Sequence, residues 1–134
     1  MPENNRMLIY GRQMSSEIPI PIHNYLYLIQ GKKPPYYDIV LYIVSDMEKH
    51  LSETEDLKEV LYSVNPKRLQ REMEKKVKHE KLTTLNISRT ILAFLYGNNM
   101  KRDSDFYVTT TSGGCKNYHI RVNTNILSTF KACI

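Results

Sequence analysis

The chain has 134 residues, of which 41% are hydrophobic and 25% charged, and this predicts a single globular domain with its own core. The sequence contains no apolar stretch long enough for a membrane span, and its charged first thirteen residues do not fit a secretory signal. The net charge of +5 is unevenly distributed, because residues 37–64 carry −5 and residues 65–134 carry +8. This asymmetry favours a basic face that binds a polyanion, or else two segments that neutralise each other within the fold.

The N-terminal 36 residues are the least regular part, and we expect them to form an arm that docks on the remaining domain, residues 37–134. Residues 7–10 fit a short strand. Residues 18–22 alternate isoleucine with proline, which predicts an edge strand or an extended arm because proline cannot donate to a sheet. Residues 25–29 are apolar and fit one or two helical turns on the core.

A short motif lies at the end of this arm. Pro34-Pro35-Tyr36-Tyr37 matches the PPxY ligand that WW domains bind. Matches of four residues are frequent by chance, and Tyr37 also begins a predicted helix, which would hide the motif. We therefore expect these residues to have a structural role.

The acidic segment, residues 37–64, predicts two helices. Apolar side chains recur at helical spacing over residues 37–51, and the two prolines before them block a longer helix. Ser52 and Glu55 fit a capping box, so a second helix is predicted over residues 55–64. The apolar stripe of this second helix contains Leu57, Val60, Leu61 and Val64.

A strongly basic helix is predicted over residues 66–81, with Asn65 as its N-cap and Pro66 at its first position. Its apolar stripe is narrow, so the helix is expected to lie on the surface. One interpretation is a solvated face on which glutamates and lysines pair at helical spacing. The other is phosphate contact, for which the candidates are Lys67, Arg68, Arg71, Lys75 and Lys78.

The next predicted helix covers residues 87–96, with Asn86 as its N-cap and Gly97 just past its end. A helix N-terminus offers backbone N–H groups to a phosphate, and arginine can bind guanine through two hydrogen bonds. The alternative is an ordinary surface arginine beside a capping serine. The candidate contacts in the first turn are Ser88, Arg89 and Thr90.

A β-hairpin is predicted after this helix. Apolar residues alternate over residues 106–110 and 118–122, and Ser-Gly-Gly at residues 112–114 favours a turn between the two strands. Residues 123–134 fit a short helix that docks on the core. Further candidate contacts before and within the hairpin are Lys101, Arg102, Lys116, Asn117 and Arg121.

In the order of its helices and hairpin, the segment from residue 87 to residue 122 resembles winged-helix DNA-binding domains. The resemblance implies that the helix before the hairpin enters the major groove and that the hairpin tip touches the DNA backbone. The chain departs from this pattern in its extra basic helix at residues 66–81 and in its N-terminal 36 residues.

Catalytic and metal-binding patterns are missing from the sequence. The four histidines are scattered, and two cysteines do not suffice for a structural zinc site. Cys115 and His119 share one face of a predicted strand, but strand positions four apart are separated by about 13 Å. We therefore expect no enzyme activity, no cofactor and no metal. The two cysteines are expected to be thiols of a reducing compartment, the cytoplasm or the nucleus.

Taken together, the sequence predicts an α+β domain that is mainly helical, with about four helices followed by a C-terminal hairpin. The leading hypothesis is a protein that binds double-stranded DNA in transcription, replication or partitioning. One alternative is a protein–protein adaptor or inhibitor, of the kind a phage or virus directs against a host protein, acting through acidic residues 38–59. Another alternative is an RNA-binding protein. A protein partner and a homodimer remain open in each case.

Overall fold

The computed structural model describes residues 8–9, 12–13, 18–54 and 59–134. The described helices are α1 (Ile20–Gln30), α2 (Tyr36–Ser52), α3 (Pro66–Glu74), α4 (Thr84–Gly97) and α5 (Thr124–Ala132). The described strands are β1 (Leu8–Ile9), β2 (Arg12–Gln13), β3 (Glu59–Val64), β4 (Phe106–Thr110) and β5 (Lys116–Asn123). The predicted α+β class is confirmed, but the described residues form five helices instead of about four, and a three-stranded sheet where a hairpin was expected.

One continuous core joins the helices to the inner face of the sheet. Helices α1 and α2 both pack against α4, and the three helices bury Leu26, Ile39 and Ile87 completely. Helix α5 covers one end of this core, where the ring of Phe130 lies 5.0 Å from that of Phe94. Each such buried side chain contributes roughly 2 kcal/mol relative to an exposed one, so the helices and the sheet stabilise each other.

The N-terminal segment is more helical than predicted. Pro19 is extended (φ −57°, ψ 140°), but α1 begins at the next residue, so the edge strand predicted over residues 18–22 is wrong beyond Pro19. Pro21 is tolerated because the N–H that proline lacks has no intrahelical partner in the first turn. The predicted docking of residues 25–29 is confirmed, since three of them are buried. Residues 20–30 therefore form a regular helix, and one face of it belongs to the core.

Two predictions reach residues outside the described ones. In the strand predicted over residues 7–10, Leu8 and Ile9 form β1 and pair antiparallel with β2, while residues 7 and 10 lie outside the described residues. The capping box predicted for Ser52 and Glu55 also extends beyond the described residues, because Glu55 lies outside them. Ser52 itself is the last residue of α2, and its hydroxyl donates to the carbonyl of Lys49 at 2.8 Å.

The helix predicted over residues 37–51 is confirmed as α2, which is one residue longer at each end. Its predicted stripe faces the core, and the buried members are Ile39, Val40, Ile43, Val44 and Met47. Tyr36 is only 8% exposed, and its ring meets that of Tyr25 edge-on at 5.6 Å. Because Pro35 is buried as well, the Pro-Pro-Tyr-Tyr motif is part of the packed structure.

The helix predicted over residues 55–64 is wrong, because Glu59–Val64 form strand β3; residues 55–58 lie outside the described residues. The same segment also alternates with a period of two, which places Tyr62 and Val64 on the buried face. A short apolar run fits both periods. Pairing with β5 decides between them, since it buries β-branched and aromatic residues that suit a strand.

The basic helix α3 is shorter than predicted. Asn65 caps it, with its Oδ1 accepting the backbone N–H of Arg68 at 3.1 Å, and Pro66 holds the first position, both as predicted. The helix ends after nine residues instead of running to residue 81. The chain then turns so that Leu82 is buried and its carbonyl accepts from Gln70 Nε2 at 2.8 Å. Helix propensities of a few tenths of a kcal/mol per residue are too small to oppose that burial.

Helix α4 begins three residues earlier than predicted. Thr83 is its N-cap, because its Oγ1 accepts the backbone N–H of Asn86 at 3.1 Å, so the cap assigned to Asn86 is wrong. The side chain of Asn86 instead accepts from the Tyr25 hydroxyl at 2.6 Å and donates to the Lys81 carbonyl at 2.7 Å. Gly97 is the last residue of the helix and not the first beyond it.

The predicted hairpin is confirmed as β4 and β5, and β3 pairs with β5 to give an antiparallel sheet in the order β3-β5-β4. Residues 111–115 form the turn, in which Gly114 adopts a φ of +84° that glycine accepts without strain. Helix α5, the docking helix expected at the C-terminus, follows β5 directly. The buried inner face of the hairpin carries Phe106, Tyr118, Ile120 and Val122.

Candidate nucleic-acid interface

Three segments that are distant in the sequence meet at one cleft of about 330 Å³, which we call the α3–α4–hairpin cleft. They are the start of α3, the first two turns of α4 and the hairpin turn. The cleft contains three of the predicted contact residues, Lys67, Ser88 and Lys116. It also contains Thr84 and Leu85, which were not predicted.

Helix α4 is anchored on its inner side and exposed along an outer strip. Ile87 and Ile91 are buried in the core, and the hydroxyl of Ser88 shares a hydrogen bond with that of Tyr118 on β5. Burial raises the pKa of Tyr118 above its ordinary value of 10.0 and so favours the neutral phenol. The outer strip contains Thr84, Leu85 and Arg89.

The predicted contacts on α4 lie in its second turn and not its first, because the helix starts at Thr84. Ser88 and Arg89 are half-buried and still reach the surface. Thr90 is 0% exposed, and its hydroxyl donates to the carbonyl of Asn86 at 2.6 Å. Its assignment as a nucleic-acid contact is therefore wrong, since it lies on the core side of the helix.

Asn65 joins the start of α3 to the hairpin. Its Oδ1 caps α3, while its Nδ2 donates to Oδ1 of Asn117 on β5 at 2.9 Å. The predicted contact Asn117 is half-buried, and its side-chain oxygen is engaged within the protein. This link holds Lys67 and Lys116, which come from different elements, at the same cleft.

The cleft is positively charged. Lys67 and Lys116 are both exposed, and none of the described residues that line the cleft is acidic. Arg71 adds an exposed cation one turn after Lys67 on α3, whereas Arg68 lines a neighbouring cleft together with Asp46 and Glu72. Such cations attract phosphate groups over a distance of about 10 Å at 0.1 M salt.

The distal part of the predicted basic helix contributes less free charge. Lys75 lies 3.1 Å from Glu72, and its hydrogen bond lowers the pKa of that carboxyl group. Lys78 is exposed but lies beyond the end of α3, so it does not continue the helical row of basic residues. Neither Lys75 nor Lys78 lines the α3–α4–hairpin cleft, and both stay predictions as phosphate contacts.

Three further predicted contacts lie at the other end of the hairpin. The backbone N–H of Lys101 donates to Oδ2 of Asp105 at 2.7 Å, and that of Arg121 donates to the Asp105 carbonyl at 3.1 Å. Arg102 also precedes β4. Since β4 has five residues, about 17 Å separates this end from the hairpin turn. The structure thus does not bring Lys101, Arg102 and Arg121 into the cleft.

A polar cluster lies on the outer face of the sheet. The ring of His119 stacks on Tyr107 with centroids 4.6 Å apart, and its two nitrogens form hydrogen bonds with Ser63 Oγ and Thr109 Oγ1, each at 2.8 Å. These residues come from all three strands of the sheet. The contribution of Ser63 could not be predicted, because β3 was assigned to a helix.

Among the described residues, no group of three or more His, Cys, Asp or Glu side chains is arranged to hold a metal ion. Nor does the described part of the chain include a helix with the length and apolarity needed to cross a membrane. No protein-family model, curated protein or solved structure matches the chain. The fold and the site therefore define the structural class of the protein: it is an α+β domain with a basic cleft between two consecutive helices and a hairpin.

Proposed function

We propose that this protein binds double-stranded DNA through the α3–α4–hairpin cleft, in the manner of a winged-helix domain. The observation that carries the proposal is the convergence of Lys67 and Lys116 in the cleft that also contains Thr84 and Leu85 of the exposed α4 strip, and whose described lining contains no carboxylate. The succession of α3, α4 and the hairpin, with α3 packed against α4, supports the same arrangement.

The dimensions of α4 suit a major groove. Its exposed strip lies in its first two turns, and the groove of B-DNA, about 12 Å wide, admits this part of one helix. In the proposed complex, the outer strip of α4 faces the base edges. Lys67 and Lys116 then contact neighbouring phosphates beside the groove, where they contribute affinity but carry no sequence information.

The adaptor hypothesis takes the acidic residues of segment 38–59 as the contact surface. Two of these residues are paired within the protein, and this pairing weakens the hypothesis. Asp46 Oδ2 accepts a hydrogen bond from the hydroxyl of Tyr62 at 2.7 Å. Glu48 lies 2.5 Å from the ammonium group of Lys131 on α5. These two carboxylates are engaged within the protein, whereas the cleft lysines face solvent.

Binding to labelled nucleic acids at several salt concentrations tests the proposal. Fluorescence anisotropy is measured with a random-sequence DNA duplex, the matching single strand and an RNA duplex of equal length. We expect the DNA duplex to bind most tightly, with log K falling linearly against log salt at about −0.9 per phosphate contacted. No binding at low salt, or a flat salt response, contradicts the proposal and favours a protein partner. Tighter binding to RNA contradicts it in favour of the RNA alternative.

A further inference from the structure

Leu85 is an exposed apolar residue in a polar and basic setting. Its side chain is 56% exposed on the outer strip of α4, although the opposite side of the same helix is buried in the core. Thr84 precedes it, Ser88 follows one turn later, and Lys67 and Lys116 line the same cleft. A leucine in this position does not pack against the core, and its exposed surface is available to whatever occupies the cleft.

We infer that Leu85 contacts the C5-methyl group of a thymine, and that the protein therefore prefers an A·T pair at that position of its site. This inference rests on the proposed function. The thymine methyl group is the apolar group that the base pairs of B-DNA present in the major groove. The flanking lysines favour a polyanion over an apolar protein surface as the occupant of this cleft.

The other side chains near Leu85 explain why an apolar contact matters here. The hydroxyl of Ser88 is already hydrogen-bonded to Tyr118, which leaves it less free to select a base. Arg89 lies four residues after Leu85 on the same side of α4 and is suited to guanine. Leu85 and Arg89 together would thus distinguish a thymine from a neighbouring guanine.

Replacing thymine by deoxyuracil tests the inference, because it removes the methyl group and preserves base pairing. Duplexes that the wild-type protein retains are selected from a random library, and each thymine of the resulting consensus is replaced in turn. We expect at least one replacement to weaken wild-type binding about fourfold, the loss expected for one buried methyl-sized group. The Leu85→Ala variant should bind the thymine and deoxyuracil duplexes equally well.

Two further variants control for general effects. Leu61→Ala removes a leucine of similar exposure, 50%, from the outer face of the sheet, and it should retain the wild-type response to deoxyuracil. Leu85→Met keeps an apolar side chain and should retain a response as well. If Leu85→Ala loses as much affinity on deoxyuracil replacement as the wild type does, or if no thymine responds, the inference is overturned while duplex binding stands. If no duplex is retained at low salt, the proposed function itself fails, and this inference fails with it.

Discussion

The hydroxyl groups of Ser88 on α4 and Tyr118 on β5 form a hydrogen bond that joins the proposed DNA-reading helix to the hairpin. Tyr118 is 1% exposed, so this bond lies at the edge of the core and not in bulk water. It links the two elements that border the cleft, and the buried side chains of Ile87 and Ile91 seat α4 in the core. The orientation of α4 is therefore part of the fold and does not depend on bound DNA.

Removal of either hydroxyl should lower the free energy of unfolding, and the effects of the two substitutions should not be additive. Ser88→Ala and Tyr118→Phe should each reduce the free energy of unfolding by about 1 kcal/mol, because each leaves one hydroxyl without its partner. The double variant should lose less than the sum of the two, with a coupling of at least about 0.5 kcal/mol. Urea unfolding followed by circular dichroism measures all four proteins. Strictly additive losses would show that the two hydroxyls do not support each other.

The two roles of Asn65 can be separated by substitution. Asn65→Ala removes both the cap of α3 and the bond to Asn117, and it should lower the free energy of unfolding by about 1 to 2 kcal/mol. Asn65→Asp keeps an oxygen that can accept the Arg68 N–H but cannot donate to Asn117, so it should recover most of the loss. Thermal unfolding of both variants decides the matter. Equal destabilisation would assign the effect to the Asn117 bond and not to the cap.

Stability should fall in alkaline solution because of Tyr62. Burial, and then its hydrogen bond to Asp46, raise the pKa of Tyr62 well above the ordinary value of 10.0. A raised pKa in the folded state contributes stability that is fully present below pH 10 and is lost as the pH rises further, since only the unfolded chain then releases the proton. Denaturant unfolding between pH 8 and pH 11 should show a steeper decline for the wild type than for Tyr62→Phe. Parallel curves would contradict this assignment.

Arg89 should affect specificity more than stability. In the proposed complex it reaches a base edge, so Arg89→Ala should cost about 1 to 3 kcal/mol on a preferred duplex and much less on random DNA. Because Arg89 is half-buried and not in the core, its removal should change the free energy of unfolding by about 1 kcal/mol or less. Anisotropy titrations with both duplexes, together with a melting curve, test this. Equal losses on every duplex would make Arg89 a phosphate contact, and unfolding would make it a structural residue.

Local signals sufficed to predict much of the fold. The wide stripe of α2, the Asn65-Pro66 start of α3 and the glycine turn of the hairpin each depend on a few neighbouring residues, and all three are confirmed. The same holds for the docking of α1, whose apolar residues are closely spaced. In these cases the residues that determine an element lie within it.

The errors arose where distant residues decide the structure. The sequence of β3 fits a helix as well as a strand, and its pairing with β5 makes it a strand. Helix α3 ends early because Leu82 packs into the core. The start of α4 had a local signal in Thr83, but Asn86 was an equally good cap by residue type. Thr83 prevails because the Asn86 side chain is engaged by Tyr25, which lies 61 residues away in the sequence. The cleft residues Thr84 and Leu85 were missed for that reason.

The central claim is that the α3–α4–hairpin cleft, and not the overall positive charge, binds duplex DNA. The most direct test compares two double variants that remove equal charge: Lys67→Gln with Lys116→Gln in the cleft, and Lys101→Gln with Arg102→Gln at the far end of the hairpin. The salt dependence of duplex binding is measured for each. The cleft variant should bind more weakly and lose about 1.8 from the magnitude of the slope of log K against log salt, two contacts at about 0.9 each, while the distal variant keeps the wild-type slope. Equal slopes for the two variants would contradict the account.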